Sequence, residues 1–425
     1  MQATRTDQPS ASPVAPPPPL SLQTRMVLLS YFAYFFYYFC RKHLGVATPA
    51  MVNSGISDTT IGWVQTAYGV CYAIGQFLSG ALGDRLGPRI ALTTGMILSG
   101  IASLAFGLFP IVGVLVIALS LNGLFQSTGW SNSCKVVAEW VNPVNRGKVM
   151  GFWTTCYIFG SIAANVVAGT ILARYGWHHV FLFTGITVAV VGVIQGIFLI
   201  NRPADRGYAI ELEERSSPAT DNTRSGFMLM IRQPAVLLLG LAYTGLKYVR
   251  YTVFSWSPYY LVSSIGLAEE SAAYASNGLE IGGILGLLLG GWVGDRFFPG
   301  NRVRLALFAL IGMIGAILLY RVTSGTGGLW GNLIGLGAIG LFLYIADAIV
   351  SGIAAQDIGG AENTASAAGI INGIGSTAQL FSGIVPIWLK QRWGWDAVFI
   401  SFIVIAFFSC LAILPVARKG KLTKA

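Results

Sequence analysis

Gly80-Ala81-Leu82-Gly83-Asp84-Arg85 returns 211 residues later as Gly291-Trp292-Val293-Gly294-Asp295-Arg296. Each copy closes an apolar run with glycines and an acid–base pair. Arg174-Tyr175-Gly176-Trp177-His178-His179-Val180-Phe181 is echoed by Arg392-Trp393-Gly394-Trp395-Asp396-Ala397-Val398-Phe399, an offset of 218, and Arg41 by Arg250, an offset of 209. Landmarks in the same order at nearly one offset are the mark of an internal duplication. The chain therefore reads as two like halves.

The medium of the halves follows from composition. Of 425 residues, 54% are hydrophobic and 10% charged, with 53 glycines. Soluble domains carry about 25% charged residues, so lipid is the expected solvent, and abundant glycine suits close helix packing there. The net charge of +10 comes with no basic run, RNP motif or zinc-finger spacing, which argues against a nucleic-acid partner. Five cysteines (Cys40, Cys71, Cys134, Cys156, Cys410) lie in apolar runs without C-x-x-C spacing, so neither a disulfide framework nor a metal site is expected.

Apolar runs long enough to cross a ~30 Å core recur along the chain. They cover about 26–52, 60–83, 90–110, 112–138, 148–173 and 178–200, then about 234–262, 270–294, 303–321, 329–355, 364–389 and 395–416. The expected fold is an all-α membrane protein of twelve transmembrane helices in two pseudo-symmetric six-helix halves, 26–200 and 234–417. A Pro-rich tail (1–25) precedes them, a charged linker (201–233) joins them, and a short basic tail (418–425) follows. With the amino terminus inside, 18 Lys and Arg fall on the cytoplasmic side, 4 outside and 5 within spans. The positive-inside rule then puts both termini in the cytoplasm.

The five cations within spans are Arg41, Lys42, Lys135, Lys247 and Arg250, against the acids Glu280 and Asp347. A charge at mid-membrane costs about 2.5–3.5 kcal/mol on insertion scales and marks a pathway by default. Tyr34, Tyr38 and Arg41 share one face of the first helix at i, i+4, i+7, Tyr68, Tyr72 and Gln76 share one of the second, and Lys247 and Arg250 stand at i, i+3. Arginine grips phosphate or carboxylate bidentately, so Arg41 and Arg250 from opposite halves can clamp an anion while tyrosines donate hydrogen bonds. The alternative is that these cations are neutralised by Glu280 and Asp347 as buried ion pairs. Lys42 can snorkel to the outer surface or line the cavity, and Lys135 can occupy the cavity or snorkel to the cytoplasmic end. Asp84-Arg85 and Asp295-Arg296 read as conformational latches. Gly335-x-Gly337-x-x-Gly340 fits a dinucleotide fingerprint but lies inside a span, so its glycines read as packing positions. No P-loop, H-E-x-x-H or G-x-S-x-G occurs, so ATP-driven transport and hydrolysis are not indicated.

These residues resemble the major facilitator superfamily. More narrowly, Arg41-Lys42 after aromatics, Pro49, Gly129-Trp130, and Arg250-Tyr251 leading to Trp256-Ser257-Pro258-Tyr259-Tyr260-Leu261 are similar to the organophosphate:phosphate antiporters. That family includes the glycerol-3-phosphate and hexose-6-phosphate transporters and the glucose-6-phosphate translocase of the endoplasmic reticulum. The resemblance implies that Arg41 and Arg250 bind phosphate, that Tyr34, Tyr38 and Tyr72 lie at the substrate site, and that Glu280 matches an acid of the eighth helix. The chain departs from the family at Gln76 (often lysine), Tyr157 (a histidine in glycerol-3-phosphate carriers), Ser131-Asn132 (Pro-Pro), Asp347 and Lys247. The last two can be read as a compensating pair.

The expected function is secondary transport of an organic phosphate ester or related anion in exchange for inorganic phosphate, without cofactor or enzymatic activity. The expected partners are the small anion and membrane lipid, for a monomer in a bacterial inner membrane. The rival readings are a proton-coupled symporter of another organic anion or zwitterion titrating on Asp347 or Glu280, and a transporter-like sugar-phosphate sensor.

Overall fold

A computed structural model describes residues 16–209, 228–298 and 301–418; among these there is no strand. The first half runs α1 (Leu20–Tyr37), α2 (Phe39–Asn53), α3 (Asp58–Leu86), α4 (Pro88–Leu108), α5 (Val112–Gln126), α6 (Thr128–Trp140), α7 (Pro143–Trp153), α8 (Thr155–Tyr175) and α9 (Trp177–Phe198). The second runs α10 (Pro234–Ser263), α11 (Glu269–Ala275), α12 (Gly278–Phe297), α13 (Val303–Thr323), α14 (Gly328–Ala348), a π-helical turn (Ile349–Ile353), α15 (Ala354–Ser376), α16 (Ala378–Phe381) and α17 (Ile384–Arg418). Helix begins at Leu20, so residues 20–25 are not tail as expected; residues 1–15, 210–227 and 419–425 of the expected tails and linker lie outside the described residues.

Among the described residues, eight helical stretches are long and apolar enough to cross a membrane by themselves. The expected spans outside that set are 26–52, 60–83, 234–262 and most of 364–389. Length is not what sets them apart, since α3 has 29 residues and α10 has 30. They carry the polar side chains instead: Arg41, Lys42 and His43; Gln65 and Gln76; Lys247 and Arg250; Asn372 and Gln379. Such helices are stable in lipid only with those side chains turned towards protein or water. On the outside of the bundle, Phe32 of α1, Ile101 of α4, Ile186 of α9, Leu319 of α13 and Phe408 of α17 are each at least half exposed, a surface suited to acyl chains.

The Arg-x-Gly-Trp echo corresponds to one backbone device. Gly176 closes α8 and opens α9 with φ +80°, and Gly394 breaks α17 with φ +76°. Both are left-handed conformations that a side chain disfavours, and each lets one helix end and the next start within a single residue. In the Gly335/Gly337/Gly340 stripe of α14, Gly335 packs against Tyr320 of α13, while Gly337 and Gly340 pack against α12, where a methyl on Gly282 would run into the Gly337 carbonyl and one on Gly340 into that of Leu279. These glycines are helix-packing positions, as expected, and bring α14 close to both neighbours.

One apolar cluster consists wholly of residues from 230–417 and another wholly of residues from 26–199. A third joins them through Trp256, Tyr259 and Ile387 against Ala47, Met51 and Ile61. Polar contacts between the halves gather at the end where α2 turns into α3. Lys390 Nζ lies 2.7 Å from Asp58 Oδ2 and donates to Tyr259 Oη at 2.9 Å, while Gln391 Nε2 donates to Asp58 Oδ1 at 2.9 Å. Partial burial pushes the Asp58 carboxyl up, but hydrogen bonds and charge from Lys390, with Gln391, outweigh it and hold the group below the usual carboxylate range. Deeper in the same interface Asn165 Nδ2 donates to Asn277 Oδ1 at 2.8 Å.

Candidate substrate site

Arg41 lies in the first turn of α2, just past the turn at Tyr38 that separates it from α1. That break exposes carbonyls which α5 satisfies: Asn122 Nδ2 donates to Cys40 O at 2.7 Å and Gln126 Nε2 to Tyr37 O at 3.1 Å. Ser99 ties the two amides together, donating to Asn122 Oδ1 at 2.6 Å and accepting from Gln126 Nε2 at 2.8 Å. Gln126 is thereby fixed with its oxygen towards Arg41, whose Nη2 donates to it at 3.1 Å. The guanidinium lies 4.8 Å from the Tyr38 ring centroid, 5.2 Å from Tyr72 and 5.8 Å from Tyr34. Among the described residues no carboxylate pairs with Arg41. Its Nε and the Tyr68 hydroxyl are buried without a hydrogen-bond partner, an arrangement that costs free energy until an acceptor arrives.

Arg250 approaches from α10. Its guanidinium lies 4.7 Å from the Tyr344 ring and 5.9 Å from Tyr157, and Tyr157 stacks on Tyr38 with centroids 6.4 Å apart. Arg41, Tyr38, Tyr157 and Arg250 thus form a continuous chain of contacts across the halves. Arg250 Nη1 stands 3.5 Å from Asp347 Oδ1, with the two side chains 19% and 13% exposed. The alternative raised by the charge census, a pair with an intramembrane acid, holds for Arg250 and not for Arg41.

Three lysine expectations are sharpened or corrected. Lys42 does not snorkel: its Nζ is 3.1 Å from Glu280 Oε1, both side chains are 2% exposed, and the ammonium sits 3.4 Å from the Phe254 ring centroid. Ser161 donates to the same Glu280 oxygen at 2.7 Å. One residue after Arg41, the helix turns its next cation by 100° into the sealed layer between the halves. Lys247 does not pair with Asp347. Its Nζ donates to Ser376 Oγ at 2.9 Å and Asn372 Oδ1 at 3.2 Å, and lies 4.6 Å from the Tyr243 ring. Lys135 donates to the Gly83 carbonyl at 3.1 Å, eleven residues along α3 from Tyr72 and so ~16 Å from the arginine layer at 1.5 Å per residue.

Gln76 is half-buried on α3, one turn past Tyr72. Of the expected latches, Arg85 and Arg296 are exposed, and the side chains of Asp84 and Asp295 lie outside the described residues. Sequence reasoning missed Gln126, Tyr344, Asn372, Ser376 and Ser161. The i, i+4 pair Asn122/Gln126 inside an apolar run was the available signal for the first; the others stand as single polar side chains whose partners come from other helices.

An ion pair buried between the halves thus lies beside two tyrosine-flanked arginines, one from each half. Residues 30–383 match the Major Facilitator Superfamily, and the chain belongs to it. It is 25% identical to the probable hexose phosphate transport protein of Chlamydia muridarum (92% of this chain, 90% of that one) and 26% identical to the glycerol-3-phosphate transporter of Bacillus subtilis (94% and 93%). Among solved structures it superposes on a bacterial homolog of the human lysosomal transporter Spinster, inward-facing and unoccupied, with a TM-score of 0.76 at 16% identity over 93% of this chain and 96% of that one. The protein is a multi-pass membrane transporter and not an enzyme.

Proposed function

We propose that the protein carries an organic phosphate ester across the membrane in exchange for inorganic phosphate, by alternating access of halves 26–200 and 234–417 around Arg41 and Arg250. The observation that carries this reading is Arg41, a cation with an orphaned N–H and, among the described residues, no carboxylate partner, joined through Tyr38 and Tyr157 to the arginine of the other half. The hexose-phosphate and glycerol-3-phosphate transporters among its relatives support the same substrate chemistry. A phosphate bridging the two arginines relieves their repulsion and draws the halves together, so its tighter binding to the closed form drives the change of state. Tyr34, Tyr72 and Gln76 line the path to the organic moiety. The closed contacts beside Asp58 form the outer seal, both termini face the cytoplasm, and the carrier works as a monomer in a bacterial inner membrane. Glycerol 3-phosphate and glucose 6-phosphate uptake into proteoliposomes, with and without internal phosphate, tests the reading. At least tenfold faster uptake into phosphate-loaded vesicles is expected; equal rates contradict exchange.

A further inference from the structure

We propose that Asp347 is a resident counter-ion that leaves Arg250 for Lys247 when an anion binds, so that the site is fully paired only around a dianionic phosphate group. This rests on the reading that Arg41 and Arg250 hold the substrate.

Asp347 is held loosely. Its contact with Arg250 is 3.5 Å, beyond the ~2.7–2.9 Å of a charge-assisted hydrogen bond, and Oδ1 is buried yet accepts no hydrogen bond. It stands one residue before the end of α14, where the π-helical turn Ile349–Ile353 begins. Such turns interrupt the regular ladder and recur at sites that rearrange. Close by, Lys247 is 6% exposed and gives its hydrogens to neutral oxygens of Asn372 and Ser376. It precedes Arg250 by three residues on one face of α10, so a carboxylate that reaches one cation has the other one turn away. A buried ammonium without an opposite charge is costly, and Asp347 is the acid beside it.

The charge count distinguishes the loaded state from the empty one. Lys42 and Glu280 cancel, as do Arg250 and Asp347, which leaves Arg41 and Lys247 unpaired among these residues. A phosphate dianion on Arg41 and Arg250 frees Asp347 to meet Lys247, and no charge remains uncompensated. A monoanion of the same shape leaves one positive charge over. Asp347 thus acts as an internal competitor that only a doubly charged ligand displaces favourably, and Lys247 as a positioning residue acting through it.

The test is a double-mutant cycle on binding of glucose 6-phosphate to the purified full-length protein, with glucose 6-sulfate as the monoanionic probe. Lys247→Gln is expected to weaken glucose 6-phosphate binding at least tenfold alone and no more than threefold in the Asp347→Asn background. Asp347→Asn alone should bind at least as tightly as the unmodified protein, which should prefer the phosphate to the sulfate by tenfold or more. Lys247→Arg keeps the charge and should stay within threefold, which separates the charge from a folding defect. An equal loss from Lys247→Gln in both backgrounds, no loss in either, or no preference for phosphate over sulfate overturns the proposal. Absence of glucose 6-phosphate and phosphate binding to the unmodified protein overturns the arginine-site reading, and the proposal with it; binding without coupling overturns the proposal alone.

Discussion

Lys42→Met strikes the layer that seals the site from one side. The pair it breaks is buried on both partners, 3.1 Å apart, and the Glu280 left behind would keep one hydrogen bond, from Ser161, with Oε2 already lacking a partner. Removing one member of a buried pair costs about 3–5 kcal/mol because the remaining charge stays uncompensated. Lys42 belongs to the first half and Glu280 to the second, so the cost falls on the state in which the halves touch at this end. At about 1.4 kcal/mol per decade, the equilibrium should move towards separation there by roughly two to three and a half powers of ten. Spin labels at the exposed positions Asn53 and Ser264 would report it as a shift to longer distances in pulsed electron resonance. Lys42→Met/Glu280→Gln, which leaves neither charge, should recover most of the closed population. A shift below tenfold in the single variant, or a double variant no closer to the unmodified protein, would refute the assignment of this pair as the seal.

Further outcomes follow from the outer contacts and the turns. Because the Asp58 carboxyl is held below its usual value, its contribution to closure is complete above the unfolded value of about 3.9 and is lost only as pH falls through the lower folded value; the Asp58–Lys390 coupling, measured by a double-mutant cycle on the same label distances, should be flat from pH 5 to pH 8. A midpoint inside that range contradicts the pairing. Gly176→Ala and Gly394→Ala should each destabilise the protein by about 1–2 kcal/mol, since both glycines are left-handed, visible as lower melting temperatures in detergent; unchanged melting contradicts the turn geometry. Gly282→Leu should abolish the folded species in size-exclusion chromatography, because its side chain would meet the α14 backbone.

The sequence discloses the parts of this protein that depend on local pattern. Apolar runs and the twin Arg-x-Gly-Trp turns could be read directly, and Gly176 and Gly394 adopt the same backbone because the same turn is needed twice. Arg41 and Arg250 stood out because charge is costly where lipid-compatible residues are expected. Pairings were less legible, since they depend on the rotation of one helix against another. Lys42 follows Arg41 by one residue yet faces Glu280 rather than solvent, and Asp347 lies against Arg250 rather than Lys247, a choice between two cations one turn apart that no spacing decides. Gln126 was hidden for the same reason: its role is set by a break in α1–α2, which brings the Tyr37 and Cys40 carbonyls to α5.

The central claim is that Arg41 receives the anion. Isothermal calorimetry of glucose 6-phosphate against the unmodified protein, Arg41→Gln and Arg250→Gln tests it most directly. Each lost charge-assisted hydrogen bond costs about 1.5–3 kcal/mol, and a bidentate grip makes two. Arg41→Gln should bind at least a hundredfold more weakly, and Arg250→Gln should lose less, since Asp347 already offsets its charge in part. Binding by Arg41→Gln within threefold of the unmodified protein would contradict it.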